Sequence, residues 1–216
     1  MKNKKPYKPR SYLISWNVGL AVFSMMGTIR MASEFFFVLS TRDFKDSVCL
    51  AINPTDISAL WACLFVVSKV FELVDTLFLI LKKKPVIFLH WYHHAIVLVY
   101  CWHSAIMLTA ASRWFIMMNY AVHSVMYTYY GLTAYGLRFP KLISMSITTL
   151  QTVQMIVGVY ISCYVALVKW YYHDVCHQSD SNLLFCFGIY LSFAVLFMNF
   201  FIKSYLSKGA LKKKDT

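Results

Sequence analysis

The stretch from Lys82 to Trp102, KKKPVIFLHWYHHAIVLVYCW, combines three lysines, three histidines and a long apolar segment. The lysines come first, and His90, His93 and His94 follow within the first turns of the apolar segment. Histidine is costly in hydrocarbon, so three of them at the mouth of a membrane segment indicate a functional site. The stretch therefore predicts both a membrane fold and the place of its chemistry.

The composition of the whole chain agrees with this interpretation. Of its 216 residues, 59% are hydrophobic and 14% are charged, whereas a soluble domain carries about 25% charged residues. The length fits one domain covering residues 1–216. No cleavable signal peptide is predicted, because no short apolar core with a small-residue cleavage site follows the basic start MKNKKPYKPR. The chain is predicted to be an integral membrane protein.

Six apolar stretches predict an all-α protein with six transmembrane helices. Each stretch is close to or longer than the roughly 20 residues that a spanning helix needs. The predicted spans are Tyr12–Leu39, Ile57–Leu81, Pro85–Leu108, Trp114–Leu137, Leu142–Val168 and Leu183–Leu206.

Basic residues are distributed unevenly between the two sides of these spans. The N-terminus, the second-to-third loop, the fourth-to-fifth loop and the C-terminal end hold most of the 21 Lys and Arg residues. Cytosolic segments carry this excess, so both termini are predicted to be cytosolic. The net charge of +12 mostly reflects the asymmetry, and no nucleic-acid partner is predicted.

The C-terminal tail, residues 207–216, is basic and ends in KKDT. Lys213 and Lys214 lie four and three positions from the C-terminus, a spacing like that of dilysine signals that return membrane proteins to the endoplasmic reticulum. This predicts an endoplasmic reticulum membrane protein. The alternative is a solvated basic tail that only sets topology.

Three charged residues share one face of the second span. Lys69, Glu72 and Asp75 are spaced i, i+3 and i+6, which covers an arc of about 120°. Each would cost about 2.5–3.5 kcal/mol if it faced lipid at the bilayer centre. They are predicted to face a cavity or the protein interior, and the alternative is a structural ion-pair network.

Other polar residues in the spans follow the same pattern. His90, His93 and His94 share a face of the third span, whereas His103, farther along, is predicted to be structural. Arg30 and Glu34, at i and i+4 in the first span, are predicted to pair with each other. In the fourth and fifth spans the polar residues are Asn119, His123, Tyr127, Tyr130, Gln151 and Gln154.

Two kinds of chemistry suit these residues. Histidines at i, i+3 and i+4 can chelate a metal, and HxxHH resembles the boxes of membrane di-iron desaturases and hydroxylases, but those enzymes need several boxes. A neutral imidazole can also attack a thioester or act as a general base. Hydroxyl and amide donors can then stabilise an oxyanion or enolate. Acyl chemistry is favoured, and no metal is predicted.

Four motifs occur in order along the chain: KVFELVDT, HWYHH, MNYAVHSVMYTYYG and QTVQ. With them the sequence resembles the ELO family of very-long-chain fatty acid elongases, most closely the subgroup acting on saturated and monounsaturated chains. The family usually has seven spans, and the first of these is absent here. The six present match the part that forms the family's closed helical barrel around an acyl tunnel.

The resemblance implies a 3-ketoacyl-CoA synthase, which condenses a long-chain acyl-CoA with malonyl-CoA and releases CO2 and CoA. It implies a ping-pong mechanism in which His93 holds the acyl group, His123 lies near the malonyl unit, and His90 and His94 orient or polarise the nucleophile. The sequence by itself does not choose among the three box histidines. No cofactor is implied. Residues implied to support the site or bind substrate are Lys69, Glu72, Asp75, Asn119, Tyr127, Tyr130, Gln151 and Gln154.

The basic loop residues and the partners complete this interpretation. Lys82 and Arg138 either contact the CoA phosphates or only set topology. The expected partners are membrane lipid and the ketoacyl-CoA reductase, dehydratase and enoyl reductase of the elongation cycle, and a homodimer is also compatible. A di-iron oxidoreductase and a non-catalytic truncated elongase homologue stay open as alternatives.

The lumenal side carries two further predictions. Cys49 and Cys176 fall in loops on that side, where an oxidising environment favours a disulfide over two separate thiols. The other four cysteines fall inside spans as small apolar residues. Bulky residues at the lumenal ends of the third and fourth spans are predicted to close the tunnel and limit chain length: Ile106, Met107, Leu108, Trp114 and Phe115.

Overall fold

The structure, a computed structural model, describes residues 10–207, and this part contains helices and no strand. The helices are α1 (Arg10–Thr41), α2 (Phe44–Cys49), α3 (Ile57–Glu72), α4 (Val74–Leu81), α5 (Phe88–Ile106), α6 (Ser112–Tyr135), α7 (Lys141–Ala166) and α8 (Asp180–Phe201). Single π-helical segments, Leu167–Tyr171 and Ile202–Leu206, extend α7 and α8. Lys213 and Lys214 lie outside the described residues.

All six predicted stretches are helical, but the second is interrupted. The amide of Leu73 donates to the carbonyl of Val70 at 3.3 Å, and the amide of Thr76 donates to the carbonyl of Leu73 at 3.1 Å. These i→i+3 bonds mark a tighter turn, so the prediction of one continuous helix is wrong here. The break separates Glu72, which bonds within α3, from Asp75, which bonds to α1 and α6.

Three connections meet at one end of the molecule: α1–α3, α5–α6 and α7–α8. The amide of His177 donates to the carbonyl of Cys49, and the amide of Ala110 donates to the carbonyl of His177, both at 2.9 Å. Cys49 and Cys176 are joined by a disulfide whose Cα atoms are 4.3 Å apart. The structure thus brings together the two cysteines that the sequence predicts to pair.

The opposite end holds the start of α1, the end of α6 and the start of α7. The Arg10 guanidinium donates to the carbonyls of Ala134, at 3.1 Å, and Tyr135. The Lys141 ammonium lies 5.5 Å from the ring centroid of Tyr205, in the π-helical segment that extends α8. Successive long helices therefore alternate in direction.

The contacts between the long helices run in a closed order. α1 contacts α3, α3 contacts α5, α5 contacts α8, α8 contacts α7, α7 contacts α6, and α6 returns to α1. The α1–α6 contact is close because Gly27 has no side chain: a Cβ there would lie 2.5 Å from the Tyr120 ring. This arrangement leaves an interior that the ring of helices surrounds.

The three helical segments that are long and apolar enough to cross a membrane are Arg10–Thr41, Lys141–Tyr171 and Asp180–Leu206, within the described part of the chain. The remaining predicted spans fall short by length or composition. α3 and α4 are separated at Leu73. α5 carries the histidine box, which is His90, His93 and His94, and α6 carries a polar stripe made of Asn119, His123, Tyr127 and Tyr130.

Every basic residue that the sequence places at the end with the disulfide has an acidic partner. The exposed pair Lys45 and Asp174, 3.1 Å apart, shows the effect on ionisation, because the hydrogen bond and attraction from Asp174 raise the pKa of Lys45. The full set is Arg42–Asp46, Lys45–Asp174, Arg113–Glu34 and Lys169–Asp180.

The predicted pair between Arg30 and Glu34 is wrong. The Glu34 carboxylate instead accepts from the Arg113 guanidinium, whose Nε lies 2.8 and 2.9 Å from its two oxygens. Arg113 also donates to the carbonyls of Ser47 and Leu50. Packing of α1 on α6 brings this bidentate partner to Glu34, and the Arg30 side chain is exposed.

The contact between α7 and α8 yields a stability prediction. Gly158 lies so close to Tyr190 that an added Cβ would collide with the ring, which also stacks on Phe115. Gly158→Ala should therefore lower the free energy of unfolding by about 1–3 kcal/mol, measured by denaturant titration in detergent. The matched control is Gly188→Ala on α8, where nothing lies within 4 Å. The control should be neutral or stabilising by up to about 1 kcal/mol, from helix propensity, and equal effects of the two variants would contradict the prediction.

The disulfide yields a second prediction. Non-reducing peptide mapping should recover the peptides of Cys49 and Cys176 joined, and Cys176→Ser should destabilise the protein by about 2–5 kcal/mol, because the bond closes a long loop. Cys163→Ser, at an exposed free cysteine, is the control. Alkylation of both Cys49 and Cys176 without prior reduction would refute the pairing.

Candidate active site

Two cavities meet inside the ring of helices. The first, of about 710 Å³, is lined mainly by apolar residues of α3, α5, α6 and α8 and by the connection before α3. The second, of about 840 Å³, extends to the end of the molecule that holds the start of α1. The residues that line both cavities are His93, Asn119, Gln154 and Met155.

The histidine box lies on the wall of these cavities. His90 and His94 line the second cavity, whereas His93 lines both. The ring centroids of His90 and His94 are 4.6 Å apart, and those of His93 and His94 are 5.5 Å apart. His90 Nε2 is 3.1 Å from the Thr76 hydroxyl, and the His93 ring packs 4.9 Å from Phe193. His93 is thus placed differently from its two neighbours, a distinction that the spacing of the box did not reveal.

A buried polar network stands behind the cavity wall. The Lys69 ammonium, 3% exposed, donates to Glu72 Oε1 at 2.6 Å and to Asn119 Oδ1 at 2.8 Å. It also lies 4.1 Å from the ring centroid of Phe65. A cation in such surroundings is tolerated only when it is paired and hydrogen-bonded, and both conditions are met here.

This network fixes the orientation of His123. Lysine has only donors, so Asn119 presents its oxygen to Lys69 and its NH2 group to His123 Nε2, 3.3 Å away. Nε2 is then an acceptor, and in neutral His123 the proton lies on Nδ1, which faces Glu72 Oε1 at 3.6 Å. The tautomer of His123 therefore follows from a lysine on another helix.

Asp75 joins three helices. Its Oδ1 accepts from the Trp16 indole at 2.8 Å, and its Oδ2 accepts from the Tyr127 hydroxyl at 2.7 Å. Asp75 lines the second cavity, whereas Tyr127 is buried behind it. Trp16 was missed by sequence reasoning, because nothing in its spacing on α1 indicates a partner on α4.

The remaining predicted residues divide between the two cavities and the surrounding structure. Tyr130 and Gln151 line the second cavity, and Gln154 lines both. Lys69 and Glu72 line neither and act through Asn119 and His123. Among residues 10–207, no three His, Cys, Asp or Glu side chains are grouped as a metal site would require.

Comparison with known proteins bears on this arrangement. The family model described as ELO, GNS1/SUR4 family, matches residues 1–213. The chain belongs to the ELO family. A Caenorhabditis elegans protein whose name assigns it to the fatty acid elongases is 48% identical over 100% of the chain and 74% of its own length. The very long chain fatty acid elongase 6 of Drosophila melanogaster is 45% identical over 99% of the chain and 69% of its own length. The human very long chain fatty acid elongase 6 is 41% identical over 96% of the chain and 78% of its own length.

In this ELO-family chain, the outer part of the second cavity is basic. Arg10, Lys82 and Lys84 line it, whereas Arg138 is exposed and lies outside both cavities. Burial and the neighbouring Lys84 charge lower the pKa of Lys82. Arg10 was assigned only to topology from the sequence, and its place here depends on the α1–α6 contact.

The bulky residues predicted to close the lumenal end of the tunnel divide between the wall of the first cavity and the surrounding structure, and closure of that end stays a prediction. Leu108 and Phe115 line the cavity, but Ile106 and Met107 do not, and Trp114 packs against Phe35 instead. The lining includes exposed residues at this end, among them Leu108. The bulky residues of the sequence motif therefore do not form a continuous floor.

The buried network of the ELO-family chain gives a third prediction. Lys69→Met leaves the Glu72 carboxylate buried and unpaired, and should lower the free energy of unfolding by about 3–5 kcal/mol. The double variant Lys69→Met with Glu72→Met should recover most of this loss, because no unpaired charge is left. Denaturant titration of the three proteins measures the difference. A double variant less stable than Lys69→Met would contradict the pairing.

Proposed function

We propose that the protein condenses a long-chain acyl-CoA with malonyl-CoA to give a 3-ketoacyl-CoA, CO2 and CoA. The observation that carries the proposal is the position of His93 where an apolar cavity meets a polar one. An acyl-CoA needs such a pair of compartments, one for its hydrocarbon chain and one for its anionic head. Membership of the ELO family and the elongase names of the relatives support the same activity.

In the first half-reaction, the unprotonated nitrogen of the His93 imidazole attacks the thioester carbonyl. The C–S bond breaks, and the imidazole gives up its N–H proton to the departing thiolate, so that free CoA leaves and a neutral acyl-imidazole remains. The apolar cavity holds the acyl chain, while His90 and His94 line the second cavity beside the reacting group. The NH2 group of Asn119, at the junction, can donate to the developing oxyanion.

In the second half-reaction, malonyl-CoA enters the second cavity. Loss of CO2 leaves an enolate, whose carbon attacks the acyl-imidazole and forms the new C–C bond. The acyl C–N bond breaks, and His93 leaves as imidazole after taking up a proton from the solvent. His123 stands on the wall of this cavity with its tautomer fixed by Asn119, and it is assigned to the malonyl unit. The condensation involves no net oxidation or reduction, so it needs no redox cofactor.

The CoA phosphates are assigned to the basic residues of the second cavity. Arg10, Lys82 and Lys84 line its outer part, and charge-assisted hydrogen bonds to phosphate are among the stronger ones in proteins. Arg138 would contribute only to an extended CoA outside the cavity. The two substrates would bind in this cavity one after the other. The side chains that shape it would be Asp75, Tyr130, Gln151 and Gln154.

The ring of helices is proposed to be a six-span barrel in the endoplasmic reticulum membrane, with both termini cytosolic. Support comes from the alternating helix directions and from the paired charges at the disulfide end. The basic end would then face the cytosol, where CoA is available. The reductases and dehydratase that process the product, and a second copy of the chain, remain predicted partners.

His93→Ala should abolish condensation, measured as 3-ketoacyl-CoA formed from palmitoyl-CoA and labelled malonyl-CoA. With palmitoyl-CoA alone, the unaltered protein should release CoA and become acylated on the peptide that contains His93, because the first half-reaction needs no malonyl-CoA. The control is His103→Gln, which keeps an acceptor for the Asn182 amide and should retain activity.

Condensation by His93→Ala at the normal rate would overturn the assignment of the nucleophile. Stoichiometric iron in the purified protein, together with oxidation of an acyl chain, would favour the di-iron alternative. A folded protein that neither releases CoA nor forms product would favour the non-catalytic one.

A further inference from the structure

Gln154 is a buried amide without a partner at the place where the two cavities meet. Its side chain lines both cavities, and only 5% of the residue is exposed. Within residues 10–207, no hydrogen bond joins this side chain to another residue. The polar side-chain atoms in that part of the chain that lack both a partner and open space belong to Ser58, Tyr100 and Gln178, so the Gln154 amide borders open space. A buried amide without a partner is unfavourable, and this one therefore points to a ligand that brings a polar atom to the junction.

The other glutamine of the QTVQ motif has a different role. The Gln151 amide donates to Met126 Sδ at 3.1 Å, which joins α7 to α6. Gln154 follows three positions later on α7, and glutamines at this spacing share one face of a helix. Among the described residues, only Gln151 of the two commits its amide to helix packing.

The other residues at the junction leave Gln154 as the uncommitted donor. His93 is the proposed nucleophile, and another of the four residues that line both cavities is a methionine, which has no N–H to donate. The Asn119 oxygen accepts from Lys69, and its NH2 group faces His123 Nε2, so one of its two N–H bonds is already used. Gln154 has both of its N–H bonds available.

We propose that the Gln154 NH2 group is a catalytic hydrogen-bond donor to the carbonyl oxygen of the acyl group, and that it forms an oxyanion hole together with the free N–H of Asn119. The inference rests on the proposed function and deepens it. When the His93 nitrogen bonds to the carbonyl carbon, the π electrons of the C=O bond move onto oxygen, and they return when the C–S bond breaks. Attack of the enolate on the acyl-imidazole charges the same oxygen again, and donors that are fixed beforehand stabilise that charge.

The order of the helices suits this role. α5, which carries His93, contacts α8, and α8 contacts α7, which carries Gln154. The two side chains thus reach the junction from helices that are not successive in the ring, so a carbonyl between them can receive the nucleophile from one helix and a hydrogen bond from the other. Beyond its carbonyl, an acyl chain is hydrocarbon, so the carbonyl oxygen is the atom of that chain that can satisfy a buried amide.

The first test compares steady-state kinetics. Gln154→Met keeps a side chain of similar length without the N–H donors, and it should lower kcat for palmitoyl-CoA and malonyl-CoA by about 10²-fold or more. The KM for palmitoyl-CoA and the Kd for free CoA should stay as in the unaltered protein, because the donor acts mainly on charge that develops in the transition state. The matched control is Thr149→Val, which removes a hydroxyl from an exposed position of the same helix and should leave kcat unchanged.

The second test uses Gln154→Glu. A protonated glutamic acid donates one hydrogen bond, whereas the ionised carboxylate only accepts and repels an oxyanion. The kcat of this variant, divided at each pH by that of the unaltered protein, should therefore rise as the pH falls, and the same ratio for Gln154→Met should not. The division removes the titration that the proteins share, that of Asp75 and of the histidines that line the second cavity. A purely structural role for Gln154 predicts no such difference between the two variants.

A third measurement does not depend on turnover. Palmitoyl-CoA with an isotopically labelled carbonyl is bound to His93→Ala, which lacks the nucleophile, and the C=O stretching band is recorded by infrared difference spectroscopy. A hydrogen bond to the carbonyl oxygen lowers its stretching frequency. The band should therefore lie at a lower frequency in His93→Ala than in the double variant His93→Ala with Gln154→Met.

The outcomes separate this assignment from the proposed function. If the unaltered protein condenses the substrates and Gln154→Met has an unchanged kcat, the proposed function stands and the donor assignment is overturned. A loss of kcat in Gln154→Met with a matching loss of CoA binding would also overturn it, since the residue would then act on folding. If the unaltered protein forms no 3-ketoacyl-CoA, the proposed function fails, and the infrared band decides by itself: equal frequencies in the two proteins would overturn the donor.

Discussion

The neutralisation of one buried cation, the Lys69 ammonium, orders the centre of this ELO-family protein. A full charge surrounded by apolar side chains must be paired within the protein, and Glu72 and Asn119 provide the partners. Because lysine can only donate, it sets the orientation of the Asn119 amide, which sets the hydrogen-bonding state of His123. The lining that the two cavities share at Asn119 therefore depends on the Lys69–Glu72 pair, neither member of which lines a cavity. This is why the charged face of α3 and the polar stripe of α6 act as one unit.

The two ends of the molecule use charge in opposite ways. At the end with the disulfide, each basic residue predicted for that side has an acidic partner, and the three connections are joined by backbone hydrogen bonds. At the other end, Arg10, Lys82 and Lys84 line a cavity whose one acidic lining residue among those described, Asp75, already accepts from Trp16 and Tyr127. The charges of one end are thus paired within the protein, whereas basic side chains of the other end line a cavity. Between them lies the first cavity, whose lining is mainly apolar.

Local spacing was a poor guide to which charges pair. Arg30 and Glu34 have the i, i+4 spacing of a helical ion pair, yet Glu34 binds Arg113, since a bidentate guanidinium that also bonds two carbonyls offers more hydrogen bonds than a solvated neighbour. Lys69 and Glu72 do pair locally, because both are buried and must be satisfied. The break at Leu73 lies between two carboxylates that both reach α6, Glu72 beside His123 and Asp75 beside Tyr127, while Asp75 also reaches α1.

The sequence by itself determined the membrane class, the six helical stretches, the shared face of each set of motif residues and the two loop cysteines that lie together. These follow from composition and from the angle of about 100° between successive helical residues, which are properties of a single segment. Only the tertiary structure decided that His93, rather than His90 or His94, lies where the cavities meet, that Trp16 and Tyr127 hold Asp75, and that Glu34 pairs with Arg113. Those features depend on distances of a few ångströms between side chains on different helices, and spacing along one helix carries no information about them.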